Sequence, residues 1–129
     1  MSDGRDWMGE FVVVSPEVWA RFEKGFGFHD AVFTGAGFPE DEDPKLTFDC
    51  ACVRDRSVEY IPVEYIPVIV TLRETTELKI TRPRDWVMKL EVTELGDSRA
   101  FRWIDAMTGY PMIEATASRI EIALPAELA

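Results

Sequence analysis

Polar and apolar residues alternate along much of the chain with a period of two. In KLTFDCACV, Leu46, Phe48, Cys50 and Cys52 fall on one side, and Thr47, Asp49, Ala51 and Val53 on the other. That is the signature of a strand with one buried face. PVIVTL is short and β-branched, and ELKIT follows after a brief ETT break. DWVMKLEV alternates again, with Trp86, Met88, Leu90 and Val92 expected inward and Lys89 and Glu91 outward. Gly96, Asp97 and Ser98 mark a turn into AFRWIDA, whose Phe101 and Trp103 share a face. MTGYP marks another turn. The final strand, SRIEIAL, is expected to turn Ile120, Ile122 and Leu124 inward against Arg119 and Glu121.

One stretch breaks this period. In SPEVWARFEKG, Ser15 is a good N-cap, Pro16 suits the first helical position and Glu17 favours the positive end of the dipole. Val18, Trp19 and Phe22 form one apolar stripe, and Gly25 supplies a stop. The pattern predicts a short amphipathic helix near residues 16–24. Half-polar strands joined by short turns predict an α+β fold: a mainly antiparallel sheet of about six to eight strands, a meander or partly closed, with this helix on its apolar face. The expected organisation is a single domain over residues 1–129, with 1–9 a disordered tail.

The segment VEYIPVEYIPV repeats EYIPV at residues 59–63 and 64–68. Five is odd, so in an unbroken strand the two copies would face opposite ways, and Tyr60 and Tyr65 could not both point inward. Pro62 and Pro67 each remove a ladder donor, which confines the stretch to an edge, bulge or strand start. The first copy is expected as loop or edge and the second as the lead into PVIVTL. An edge strand near Ile61–Val70 would also offer a route to self-association.

Charge narrows the partners. The chain carries 24 acidic and 14 basic side chains, a net charge of −10. That balance repels phosphate backbones and argues against nucleic-acid binding, but suits a basic protein partner. The first half is the more acidic, with 14 acids against 6 bases in residues 1–64. No apolar run approaches the roughly 20 residues of a membrane-spanning helix, so no membrane association is expected. The N-terminal MSDGRDWMGEF lacks a secretory profile, so a cytoplasmic location is expected.

Candidate chemistry is sparse. Nucleotide-binding glycine loops, the nucleophile elbow and H-E-x-x-H are all absent from the sequence. Cys50 and Cys52 share a strand face and read as buried reduced thiols, and with one histidine in the chain no metal set is complete. No metal or other cofactor is expected. The histidine, His29, lies beside Asp30. The pair reads either as a helix-to-strand joint, with the imidazole buried and bonded to backbone, or as the mouth of a pocket. PEDEDP places Glu40, Asp41, Glu42 and Asp43 between two prolines. Its spacing does not match a calcium loop, which leaves a solvated hairpin tip or a contact loop for a basic surface.

Phe28, His29, Asp30 and Ala31, after a short helix and entering a strand, carry a resemblance. They match the FHDA-type motif of small bacterial immunity proteins of polymorphic toxin systems, and the strand pattern over roughly residues 15–124 is also similar. The resemblance implies a non-catalytic function, binding a cognate toxin and blocking it, and the charge fits a basic nuclease toxin. Phe28 to Ala31 would then be a fold signature, with contacts made by Glu40, Asp41, Glu42 and Asp43. The leading expectation is therefore a protein-binding module and not an enzyme. The alternatives are a ligand-binding or enzymatic sheet using His29 and Asp30, and an assembly subunit pairing through its edge strand.

Overall fold

The computed structural model describes residues 10–23, 26–52, 64–81 and 85–126. The expected tail at 1–9 and the first EYIPV copy lie outside this range. The described chain is mainly antiparallel β-sheet with one short helix. Its elements are β1 (Phe11–Val13), α1 (Pro16–Glu23), β2 (Phe26–Gly37), β3 (Lys45–Cys52), β4 (Glu64–Arg73), β5 (Glu77–Ile80), β6 (Trp86–Glu94), β7 (Arg99–Asp105), β8 (Pro111–Ala117) and β9 (Arg119–Pro125). Nine strands among the described residues correct the expected six to eight. The additional ones are short or arise where a long alternating segment divides at a single residue.

All nine strands join one sheet in the order β1-β9-β4-β3-β2-β6-β7-β8-β5. A meander describes β2–β3–β4 and β6–β7–β8, but not the whole. β5 leaves β4 after three residues yet pairs with β8 at the far edge, and β9 leaves β8 after Ser118 alone yet pairs with β4. In a flat sheet each of these jumps would cross six strand intervals, about 29 Å at ~4.8 Å per interval. Links this short reach only because the sheet is rolled until its two ends meet. Ser118 marks that meeting: its amide donates to the Arg73 carbonyl at 2.9 Å and its hydroxyl to the same oxygen at 3.2 Å. No ladder closes the seam among the described residues, so the roll is open.

The core fills the inside of the roll. Leu46, Phe48 and Cys50 of β3 are buried, as are Ile66, Val68, Val70 and Leu72 of β4, and Ile122 and Leu124 of β9. Cys50 is fully buried, as expected. Ser15 caps α1, its Oγ accepting from the Val18 amide at 3.2 Å. The helix lays Trp19 against Phe28, ring centroids 5.0 Å apart, covering part of the core.

Two bulges reset the side-chain alternation. In β6 the pairing with β7 slips between Val87 and Lys89, which turns Val87 inward and Trp86 outward. Val87 is fully buried and Trp86 is 45% exposed, which corrects the inward assignment of Trp86. Val92 is also exposed, beside the polar end of the β6–β7 hairpin. In β2 the six residues from Gly27 to Val32 lie across only three of β3, Ala51 to Asp49. The surplus is accommodated by left-handed backbone at Gly27 (φ 50°) and Asp30 (φ 63°).

Pro67 lies within β4, which sits between β3 and β9 and is not an edge of the sheet. Glu64 to Val68, however, pair only with β3, while Ile69 and Val70 pair on both sides. The missing donor of Pro67 therefore falls where one side carries no ladder. This narrows the expected edge segment: Ile69 and Val70 are internal.

Candidate functional site

The bulge in β2 decides how the FHDA residues are displayed. Phe28 and Ala31 point into the core, while His29 and Asp30, both between them, point to solvent. The His29 side chain is 58% exposed, which corrects the expected burial. It still bonds to backbone, but to β6 and not at the end of the helix. Nδ1–H donates to the Met88 carbonyl at 3.1 Å, and Nε2 lies 3.5 Å from Asp30 Oδ2. The pair thus bridges β2 and β6 where the pairing of β2 with β3 is interrupted.

The acidic segment is the tip of the β2–β3 hairpin. The Glu42 amide donates to the Pro39 carbonyl at 3.3 Å, and Asp41 has φ 61° at the third position of that turn, as a type II turn requires. Below it, Thr34 Oγ1 donates to the Thr47 carbonyl at 3.0 Å and Thr47 Oγ1 to the Gly35 carbonyl at 3.1 Å, bracing the second irregularity of β2. Glu40, Asp41 and Glu42 are exposed, and Phe38 beside them is 67% exposed. Asp43 is set apart: its Oδ2 lies 3.3 Å from Arg73 Nη1, and Arg73 also pairs with Glu121 of β9. Hydrogen bonds that Arg73 donates to Glu121 first and Asp43 second hold its guanidinium above its ordinary value. Of the four expected contact residues, three project freely and the fourth anchors the hairpin to β4 and β9.

Elsewhere charges oppose one another. Glu91, Arg102, Glu114 and Lys79 stand directly opposite in turn across β6, β7, β8 and β5, alternating in sign. Such pairs stabilise a sheet by roughly 0.2–1 kcal/mol each. A shallow depression of about 370 Å³ lies over this row. A second concavity of about 480 Å³ runs between α1 and β9, lined by Val14, Pro16, Trp19, Ile120 and Ile122. Neither is lined by His29.

One assembly was not visible from periodicity. Trp86 opposes Val32, Val32 opposes Asp49, and Asp49 opposes Pro67, a row across β6, β2, β3 and β4 on the face away from the core. The Tyr65 and Trp86 rings meet over it, centroids 6.2 Å apart and planes at 72°. Burial pushes the Asp49 carboxyl above its ordinary value. An alternating pattern placed Asp49 on the polar face, but the Trp86 inversion could be found only from the bulge.

Among the described residues, no three His, Cys, Asp or Glu side chains form a group that could hold a metal ion, and no helix is long and apolar enough to cross a membrane. Comparisons of the chain with protein-family models, curated proteins and solved structures gave no match.

Proposed function

We propose that this chain is a non-catalytic protein-binding module, an inhibitor that seats the tip of its β2–β3 hairpin on a basic protein, as the resemblance to toxin-neutralising immunity proteins implies. The observation that carries the reading is the pairing of an exposed aromatic, Phe38, with three uncompensated carboxylates on a braced turn. Aromatic anchors ringed by polar groups supply most of the energy at protein interfaces, while surrounding charge sets encounter rate and partner choice. Among the described residues, Glu40, Asp41 and Glu42 have no opposing cations of the kind that neutralise the Glu91–Lys79 row. Bracing by Arg73, Thr34 and Thr47 lowers the ordering cost of binding.

The test is calorimetric titration of the chain with the basic toxin-like protein encoded beside it, at low and at physiological salt. Phe38→Ala is expected to weaken binding by at least about tenfold. Glu40→Gln/Asp41→Asn/Glu42→Gln is expected to weaken it most at low salt and to flatten its salt dependence. Unchanged affinity in both variants removes the tip from the interface, and the absence of any such neighbouring protein removes the inhibitor reading.

A further inference from the structure

The hairpin tip is too small to be a whole interface. Stable complexes bury about 800 Å² on each partner, a patch roughly 30 Å across. From Asp43 the outward side chains of β3 run through Lys45 and Thr47 to Asp49, about 20 Å at ~3.3 Å per residue, so a partner seated on the tip reaches the Tyr65–Trp86 assembly. The following inference rests on the proposed protein-binding role.

We infer that Tyr65, Trp86 and Asp49 form a receptor for an arginine side chain of the basic partner. Three features combine. The two rings stand nearly perpendicular, 6.2 Å apart, and so present one ring face and one edge beside the same spot. A cation is attracted to the face of an aromatic ring within about 6 Å of its centroid, Trp giving the strongest case. Asp49 lies in the row these rings span, opposite Val32 and Pro67, which bring no competing charge. The neighbouring outward groups on β2 are His29 and Asp30, whose imidazole and carboxylate are already set against each other.

The combination selects guanidinium over other cations. A planar guanidinium stacks on Trp86 while its N–H groups remain free to donate in the plane to a carboxylate. A quaternary ammonium would leave Asp49 without a hydrogen bond, and a lysine ammonium does not stack. Asp49 is partly desolvated as it stands, so a bonded cation restores what burial takes away.

The experiment uses the intact chain and the capped tripeptide acetyl-Gly-Arg-Gly-amide, followed through the Trp86 indole N–H and the backbone amides of Asp49 and Tyr65, the amides alone serving for Trp86→Leu. The matched probes are the citrulline peptide, which has the same shape without charge, the lysine peptide and tetramethylammonium. The arginine peptide is expected to bind in the millimolar range and to shift Trp86, with the citrulline peptide at least tenfold weaker. Trp86→Leu, at an exposed position, and Asp49→Asn are each expected to weaken the arginine peptide about fivefold or more, with dispersed amide spectra showing that both variants fold. Equal binding of arginine and citrulline, equal or tighter binding of tetramethylammonium or lysine, or an arginine titration unchanged in both variants overturns the inference. Arginine binding that persists when the tip variants keep full affinity for the basic protein leaves the receptor standing and removes the tip. Loss of partner binding in the tip variants without arginine binding here removes the receptor alone.

Discussion

Phe48 and Trp103 stack with ring centroids 5.5 Å apart and planes at 26°, although β2 and β6 lie between their strands in the sheet. In a flat sheet three strand intervals would separate them by about 14 Å. Their contact spans the inside of the rolled sheet, and Phe28 joins edge-on to both rings. Trp103→Ala should therefore destabilise the fold by about 3–5 kcal/mol. Among the described residues the Trp103 indole N–H is buried without a hydrogen-bond partner. Trp103→Phe removes that donor along with some volume and should cost less than about 2 kcal/mol. Urea melts of the two variants check the ranking, and equal losses would show that the bulk of Trp103 does not fill the inside of the roll.

Asp30 holds φ 63°, the left-handed region that costs an ordinary L-residue roughly 1–2 kcal/mol. Asp30→Gly should be within about 1 kcal/mol of the parent, since relief of strain offsets the added chain entropy. Asp30→Val should cost about 2 kcal/mol more than the glycine variant, because a β-branched side chain is disfavoured there. A valine variant as stable as the glycine one would mean that the β2 bulge relaxes.

Arg73 ties Asp43 at the hairpin to Glu121 on β9. Arg73→Met should leave the core melting transition nearly in place and speed amide exchange at Glu42, whose N–H closes the tip turn. Hydrogen exchange followed by NMR separates this from a global loss of stability, in which core strands would exchange faster as well.

Asp49 reverses the usual carboxylate dependence on pH. Its folded value is raised from 3.8 by burial, so the folded state holds its proton more tightly than the unfolded chain does. Stability from this group is therefore greatest below its ordinary value and falls as pH rises through the interval up to the raised one. Asp49→Asn should melt higher than the parent at pH 7, with the difference vanishing near pH 3. Thermal melts across pH 3–7 read this directly, and a constant difference would assign the effect to packing.

The helix was legible because its signals are local: a capping serine, a proline at the first position and an apolar stripe within eight residues. So were the inward faces of β3 and β9, where alternation runs unbroken through Leu46, Phe48 and Cys50, and through Ile120, Ile122 and Leu124. The acidic residues were legible as a hairpin tip because two prolines bracket them. Trp86 was misread because a single extra residue in β6 inverts the face of everything before it, and nothing in DWVMKLEV marks where that residue falls. His29 was expected to be buried because it lies just after the helix and before a strand, where an imidazole bonded to backbone would serve as a joint. The bulge in β2 turns it outward while keeping Phe28 and Ala31 inside.

Local chemistry by itself determined the element types, the antiparallel class, most inward faces and the charged tip, because periodicity, caps and turn residues act over a few positions. Strand order, the rolling of the sheet through Ser118, the separation of Asp43 from its three acidic neighbours, and the meeting of Tyr65 with Trp86 were decided only by tertiary structure. Each depends on which distant strands share a ladder and where the register slips, and those are settled by filling one core around Phe48 and Trp103.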